Sequence, residues 1–149
     1  MMGKGPGIPA DMVFLDLEDA CAPKEKEAAR GKIVQAITGL DWGDKVLCVR
    51  VNDWSTKWTA YDILEVVGGA GERLDEIMLP KVESPDQVVA TDLLLRQVEI
   101  ASGLPVGHIG IEAQIETARG LINVEAICAA SPRLQIGRAS CRERVYSSV

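Results

Sequence analysis

The sequence predicts an α/β fold in which parallel strands alternate with helices. Short apolar segments that end in polar residues recur along the chain, and each is followed by a longer amphipathic segment. Four such units in succession imply a parallel sheet with its helices outside. This pattern fits a doubly wound sheet or part of a (β/α)8 barrel, and the pattern alone does not choose between them.

The bulk composition indicates one globular domain. The 149 residues are 47% hydrophobic and 26% charged, which is typical of a folded chain rather than a disordered one. The net charge of −6 argues against nucleic acid as a partner. No apolar run approaches the roughly 20 residues of a membrane span. The first residues lack the apolar segment of a signal peptide, so we expect a cytoplasmic protein.

The cysteines and the histidine exclude several classes of site. Cys21, Cys48, Cys128 and Cys141 are scattered without a CxxC pair, so we expect reduced thiols rather than disulfides or a zinc site. The single histidine, His108, excludes a multi-histidine metal centre and argues against a histidine-based catalytic triad.

The first two units are predicted from apolar runs and from the proline and glycine residues that bound them. Residues 12–17 and 45–51 are strand candidates because they are nearly continuous in apolar residues. The segment 23–40 predicts a helix with Pro23 in its first turn. A second helix over residues 59–67 is expected to stop at the two glycines that follow.

The next two units repeat the pattern. Residues 76–82 and 108–115 predict strands, and residues 84–103 predict the clearest helix of the chain. That helix has Ser84 as its N-cap, a proline at its first position, Gln87 completing a capping box, and a terminal glycine. Residues 117–131 predict a short helical segment that is weakened by a glycine.

The last fourteen residues differ from the rest of the chain. Residues 136–149 contain three arginines and one glutamate and do not continue the strand–helix alternation. The segment "IGRASCRERV" also corresponds, codon by codon, to a translated sequencing adapter. We therefore predict a partial barrel domain over residues 1–135 and a non-native tail over residues 136–149. The alternative is a natural, basic and disordered tail.

Polar side chains gather where the predicted strands end. Because the carboxyl ends of parallel strands meet at one edge, we expect these side chains to share a rim. An oxygen-rich site suits Mg²⁺ or Mn²⁺, and a cation would offset the repulsion between carboxylates. The residues concerned are Asp16, Glu18, Asp19, Arg50, Asn52, Lys81, Glu112 and Glu116.

Each of these residues also has a structural interpretation. Glu18 and Asp19 could serve the first turn of the following helix, and Arg50 could form an ion pair with Asp16. Lys81 could be a solvated loop residue.

The two later carboxylates also have a structural interpretation. Glu112 alternates with apolar residues, and we expect it to face a neighbouring helix rather than to bind a metal. Glu116 precedes a helix, where its charge suits the helix dipole. The convergence of the whole set on one rim is what points to a site.

Four ordered blocks closely resemble the citrate lyase beta-subunit-like branch of the HpcH/HpaI aldolase superfamily, which includes malyl-CoA lyases. The resemblance implies a partial (β/α)8 TIM barrel of about four βα units. It also implies that the first strand, and a later aspartate completing the Mg²⁺ site, belong to a longer parent. The blocks are "ADMVFLDLEDACAPKEKEAAR", "VRVNDWSTKWTAYD", "LDEIMLPKV" and "GIEAQIETARGLINV".

The same resemblance implies roles for five residues. Glu116 would be a Mg²⁺ ligand, with Mn²⁺ as a possible substitute. Arg50 would bind a carboxylate or carbonyl oxygen of the substrate, and Lys81 would support the site. Glu18 and Asp19 would hold metal-bound water and order the site.

The implied chemistry is a retro-Claisen cleavage of a 3-hydroxyacyl-CoA of the malyl-CoA, methylmalyl-CoA or citryl-CoA type. The products would be an acyl-CoA and a 2-oxo acid, and we expect the full-length parent to be a homo-oligomer and this chain alone to be inactive. One alternative is a class II pyruvate-type aldolase that does not use CoA. Another is a receiver-like α/β module, although Arg50 stands where its acceptor aspartate should be.

Overall fold

A computed structural model of the chain describes residues 2–135 and 146–147 and contains one parallel sheet. Four strands form most of this sheet, in agreement with the predicted α/β fold, and a two-residue fifth strand lies at one edge. The strands are β1 Met12–Asp16, β2 Val46–Arg50, β3 Glu76–Leu79, β4 Gly110–Ala113 and β5 Tyr146–Ser147.

The order of the strands separates the two architectures that the sequence left open. β1, β2, β3 and β4 pair with one another in chain order, and every pairing is parallel. A doubly wound sheet would reverse its order at a switch point, whereas a barrel adds each strand beside the previous one. Leu134 continues this progression, because it forms a parallel bridge with Ile111 at the free edge of β4. The prediction of a partial barrel is therefore confirmed.

The helices form a single layer on one side of the sheet. α1 packs on α2, α2 on α3, and α3 on α5. No helix in the described part of the chain is long and apolar enough to cross a bilayer. The helices are α1 Lys26–Gly39, α2 Thr59–Ala70, α3 Pro85–Ser102, α4 Ala118–Ile122 and α5 Val124–Cys128, preceded by a 3₁₀ helix at Met2–Gly7.

The core lies between the sheet and this helix layer. Alternate strand residues such as Leu15, Val49, Ile77 and Ile111 are almost fully buried in one apolar cluster. Burying a side chain of this kind contributes roughly 1.5–3 kcal/mol. Because side chains alternate along a strand, the remaining residues point to the opposite, inner face of the sheet.

Two predicted helix boundaries were wrong. α2 does not stop at Gly68 but continues to Ala70, and a Cβ atom on Gly69 would lie 2.8 Å from the side chain of Val34 in α1. Gly69 therefore allows two helices to approach closely rather than ending one of them. α1 begins at Lys26, so Pro23 lies before the helix and not in its first turn.

The boundaries of α3 are as predicted. The side-chain oxygen of Gln87 accepts hydrogen bonds from the backbone N–H groups of Glu83 and Ser84, at 2.7 Å and 3.2 Å. Gly103 ends the helix with a φ of +73°, a conformation that glycine adopts without steric cost. The predicted tail at residues 136–149 lies outside the described residues apart from Tyr146–Ser147, so it stays a prediction.

Candidate active site

Arg50 and Asp16 form a two-point ion pair at the carboxyl ends of β1 and β2. The two residues are register partners in the sheet. Nε and Nη2 of Arg50 donate to the two oxygens of Asp16 at 2.9 Å and 2.6 Å. Although burial alone would raise the pKa of Asp16, these bonds and two backbone N–H donors hold it below its ordinary value. The guanidinium is thus fixed in orientation, as the ion-pair alternative anticipated.

Glu18 lies between the two cationic groups of the rim. Its Oε1 is 2.5 Å from Nζ of Lys81, and its Oε2 is 3.5 Å from Nη1 of Arg50. The Glu18 side chain is only 6% exposed, and its Oε2 has no hydrogen-bond partner among the described residues. A buried carboxylate oxygen is costly to leave without a hydrogen bond, so it is a ready acceptor for a ligand or a water molecule.

Lys81 connects Glu18 to Glu116. Its backbone N–H donates to Oε2 of Glu116 at 3.0 Å while its ammonium contacts Glu18. The residue has a φ of +52°, which is uncommon for a side chain other than glycine. The hydrogen bond to Glu18 raises the pKa of Lys81, because it favours the charged ammonium.

The loop that carries Glu116 is held by a close contact. Thr117 caps α4 by accepting a hydrogen bond from the N–H of Gly120 at 3.1 Å. A Cβ atom on Gly120 would collide with the carbonyl oxygen of Val82, directly after Lys81. The glycine that weakens the predicted helix therefore lets α4 approach the loop after β3, which brings Glu116 to the rim.

The rim is an oxygen-rich and net acidic surface. Asp19 is 71% exposed and lies 3.9 Å from Nη2 of Arg50. Together with Asp16, Glu18 and Glu116 it brings more carboxylates to the rim than Arg50 and Lys81 can balance. Oxygen donors, a buried Oε2 of Glu18 that accepts no hydrogen bond within the described part of the chain, and an excess of negative charge fit a hard divalent cation such as Mg²⁺.

A buried polar network beneath the rim was not predicted from the sequence. Lys26 donates to the side chain of Asn52 at 2.6 Å, and the side chain of Asn52 donates to Asp62 at 2.6 Å. Asp62 also accepts from Arg30 at 2.7 Å. The signal was present, since Lys26 and Arg30 share the buried face of α1 with its apolar stripe, where charged residues are unusual.

The position of Glu112 corrects the expectation that it faces a helix. Ile111 occupies the helix-facing side of β4, and Glu112 lies on the inner face near Cys48 and Glu76. The ligand-type atoms of these three residues all lie within 4.8 Å of one another. Burial raises the pKa of the Cys48 thiol and of the Glu112 carboxyl, which favours their neutral forms, and metals bind the deprotonated forms. This cluster is therefore a poorer match for a metal than the rim.

The chain belongs to the HpcH/HpaI aldolase/citrate lyase family, whose model matches residues 1–137. It is 46% identical over 126 residues to an L-malyl-CoA/beta-methylmalyl-CoA lyase of Cereibacter sphaeroides, covering 85% of this chain and 39% of the relative. It is 37% identical over 125 residues to the citrate lyase subunit beta of Leuconostoc mesenteroides subsp. cremoris, covering 84% of this chain and 40% of the relative. The chain thus spans about two fifths of the length of these curated relatives.

A solved structure supports the same fold. The malate synthase of Haloferax volcanii in its lead(II) complex aligns with a TM-score of 0.78 at 22% identity, covering 90% of this chain and 43% of that one. At this identity the likeness concerns the fold alone. With the sequential strand order and the family match, it rules out the receiver-like module.

Proposed function

We propose that the full-length parent of this chain is a carbon–carbon lyase that cleaves a 3-hydroxyacyl-CoA into an acyl-CoA and a 2-oxo acid. The observation that carries the proposal is the rim itself, where Arg50, Glu18, Lys81 and Glu116 meet at the carboxyl ends of the strands. The name of the Cereibacter sphaeroides lyase supports a CoA-ester substrate of the malyl-CoA or methylmalyl-CoA type, and the citryl-CoA type is proposed from the family resemblance.

We further propose that the enzyme depends on Mg²⁺, with Mn²⁺ as a substitute. Glu116 would hold the ion, since its exposed carboxylate is fixed through Lys81 at the open edge of the rim. When bound, the ion supplies Lewis-acid polarisation of the oxygens of the 2-oxo acid half of the substrate.

Arg50 would bind the carboxylate of that half. Asp16 holds the guanidinium by two hydrogen bonds, so little rotational freedom is lost when an anion arrives. A fixed cationic donor that faces developing negative charge lowers a barrier by about 3–4 kcal/mol. Lysine could not copy this arrangement, because its ammonium lacks the planar fork.

The remaining rim residues would order the site. Glu18 offers its Oε2, which accepts no hydrogen bond from the described residues, to a water molecule or a substrate hydroxyl, and Asp19 lies exposed beside it. Lys81 holds Glu18 and limits the repulsion among the carboxylates. No covalent nucleophile is needed for a retro-Claisen cleavage, which fits a rim composed of acids, one guanidinium and one ammonium.

We propose that the 149-residue chain alone does not catalyse this reaction. It spans 39% of the lyase to which it is 46% identical, and the resemblance implies that a second Mg²⁺ ligand belongs to the longer parent. The homo-oligomeric state and the cytoplasmic location also stay predictions.

The test is to assay the parent and this chain side by side. We expect the parent to release acetyl-CoA or propionyl-CoA from malyl-, citramalyl-, methylmalyl- or citryl-CoA, to stop with EDTA, and to recover with Mg²⁺. Cleavage of free hydroxy-oxo acids without CoA would instead support the class II aldolase alternative. No release from any thioester by the parent would end the lyase proposal.

The metal assignment has its own measurement. In the parent, Glu116→Gln should weaken Mg²⁺ binding at least about tenfold in calorimetry, because a neutral amide replaces a charged ligand. Glu125→Gln, on the exposed part of α5, is the matched control and should leave the affinity unchanged. Equal affinities for the two variants would remove Glu116 from the site.

A further inference from the structure

We propose that Lys26 is a positioning residue of the candidate active site: it holds the backbone at Leu17 and Glu18 so that the Glu18 carboxylate stays between Lys81 and Arg50. The proposal rests on the lyase function proposed above. Lys26 itself lies on the first turn of α1, beneath the rim.

The first observation is that Lys26 uses all its donors on this one task. Its ammonium has three N–H groups, and they reach the carbonyl oxygens of Leu17 and Glu18 at 2.8 Å and 2.7 Å and Oδ1 of Asn52 at 2.6 Å. The residue is only 6% exposed. None of the three acceptors is a carboxylate, so Lys26 does not serve as a partner in an ion pair.

The second observation is where the acceptors lie. Two of them are consecutive carbonyl groups, one of them that of Glu18 itself. The backbone N–H of Leu17 donates to the carbonyl of Arg50 at 2.9 Å, and the N–H of Glu18 donates to Asp16 at 2.8 Å. With Lys26 on the carbonyl side, the peptide groups on both sides of Glu18 are fixed, which sets the direction of its side chain.

The third observation is that Asn52 cannot turn away from Lys26. Its backbone N–H and its Nδ2 both donate to Oδ2 of Asp62, at 3.0 Å and 2.6 Å. Oδ1 of Asp62 is held in turn by Arg30. The Asn52 amide therefore presents its oxygen to Lys26, and the network ties the rim loop to both α1 and α2.

These contacts imply that Lys26 acts on the reaction through Glu18. Replacing it by methionine would leave the carbonyl oxygen of Leu17 and Oδ1 of Asn52 without donors, and the carbonyl oxygen of Glu18 with only the longer bond from the N–H of Cys21 at 3.4 Å, so the loop would be freer to rotate. Glu18 would then lose its fixed placement between Lys81 and Arg50. A displacement of about 1 Å at an active site costs on the order of 100-fold in rate.

The experiment is a double-mutant cycle in the full-length parent. Lys26→Met should lower kcat for thioester cleavage about 100-fold with a smaller effect on KM. Lys24→Met, an exposed lysine two residues earlier, is the matched control and should change kcat less than about twofold. In a Glu18→Gln background, Lys26→Met should cost no more than about a further twofold, because its route to the reaction is already removed.

Several outcomes would overturn the proposal. A folded Lys26→Met protein with wild-type kcat would do so, and so would the same fold-loss in both backgrounds, since a merely structural lysine acts independently of Glu18. Where the methionine variant does not fold, Lys26→Gln replaces it, because glutamine keeps two N–H donors, and the same outcomes apply.

Amide hydrogen exchange separates this proposal from the lyase proposal. The N–H groups of Leu17 and Glu18 should exchange faster in the Lys26 variant, while those of β3 keep their wild-type rates. A parent that cleaves no thioester would refute the lyase function. The exchange rates at Leu17 and Glu18 would still show whether Lys26 fixes the backbone of this loop. Unchanged exchange at Leu17 and Glu18 would overturn the positioning role by itself.

Discussion

The ammonium of Lys81 lies 2.5 Å from Oε1 of Glu18, although the two residues are 63 positions apart in the chain. The same lysine donates its backbone N–H to Glu116, so one residue contacts both the buried acid of the first strand–helix unit and the exposed acid of the fourth. Lys81 thus links the two ends of the rim across the sheet.

Lys81 can be tested by two substitutions that separate its side chain from its backbone. Lys81→Asn removes the ammonium but tolerates the φ of +52°, so the fold should hold while kcat/KM of the parent falls about tenfold or more. Lys81→Val should lose activity equally and also lose about 1–3 kcal/mol of stability, because a β-branched residue is strained in that conformation.

The measurements are steady-state kinetics and urea denaturation, with Lys24→Asn as the exposed control. Equal stability of the Asn and Val variants would show that the backbone at this position carries no strain. Wild-type kinetics in both would remove the ammonium from the site.

The rim could be predicted from the sequence because of a topological rule. Parallel strands bring their carboxyl ends to one edge, so Asp16, Arg50 and Glu116 could be placed together before any contact was known. The direction of Glu112 could not, because alternation defines two faces without saying which one the helices cover.

The buried network was missed for a related reason. The sequence pattern does not single out Lys26 or Arg30, and only the packing of α1 on α2 brings Arg30 to Asp62. A charged residue on an apolar stripe is a signal that a partner exists, but the partner lies 32 residues away and is set by tertiary structure. The same holds for Gly69, whose purpose depends on Val34 of a different helix.

Arg50→Lys should reduce the activity strongly, although it keeps the positive charge. Lysine cannot make the two parallel bonds to Asp16 and cannot hold a substrate carboxylate in the same plane. We expect kcat/KM of the parent for thioester cleavage to fall about 10²–10³-fold. Arg96→Lys, on the exposed side of α3, is the control and should leave the kinetics unchanged. A loss smaller than about threefold for Arg50→Lys would contradict the proposed role.

The buried carboxyl of Glu112 should make the stability of the protein depend on pH. Burial raises its pKa above the ordinary value, and its Oε2 has no hydrogen-bond partner within the described part of the chain. A carboxyl whose pKa is higher in the folded state than in the unfolded state stabilises the fold below the unfolded value. That contribution is lost as the pH rises through the folded value.

Glu112→Gln removes this titration and should stabilise the protein by about 1 kcal/mol at pH 8, with no gain near pH 4. Urea denaturation at the two pH values measures it, with the exposed Glu125→Gln as the control. Equal effects of Glu112→Gln at both pH values would show that folding does not shift the pKa of this carboxyl.

We expect the largest loss of stability when Arg133 is replaced. Its guanidinium contacts Asp92 at 2.6 Å and Glu99 at 2.7 Å, and the Glu99 side chain is fully buried. This contact holds the start of the segment that bridges to β4 at Ile111. Although burial alone would raise the pKa of Glu99, the bonds from Arg133 and two backbone N–H groups lower it, so its charged form depends on them.

Arg133→Met should therefore cost about 3–5 kcal/mol in urea denaturation of the parent at pH 7, because it leaves a buried carboxylate unpaired. Arg73→Met removes the half-exposed pair with Asp75 and two hydrogen bonds to the carbonyls of Gly43 and Lys45, and it should cost clearly less because no buried charge is left behind. The loss for Arg133→Met should shrink as the pH falls through the folded pKa of Glu99, because the wild-type protein then loses the same contribution. Equal losses for the two arginines at pH 7 would show that Glu99 is stabilised by its backbone donors alone.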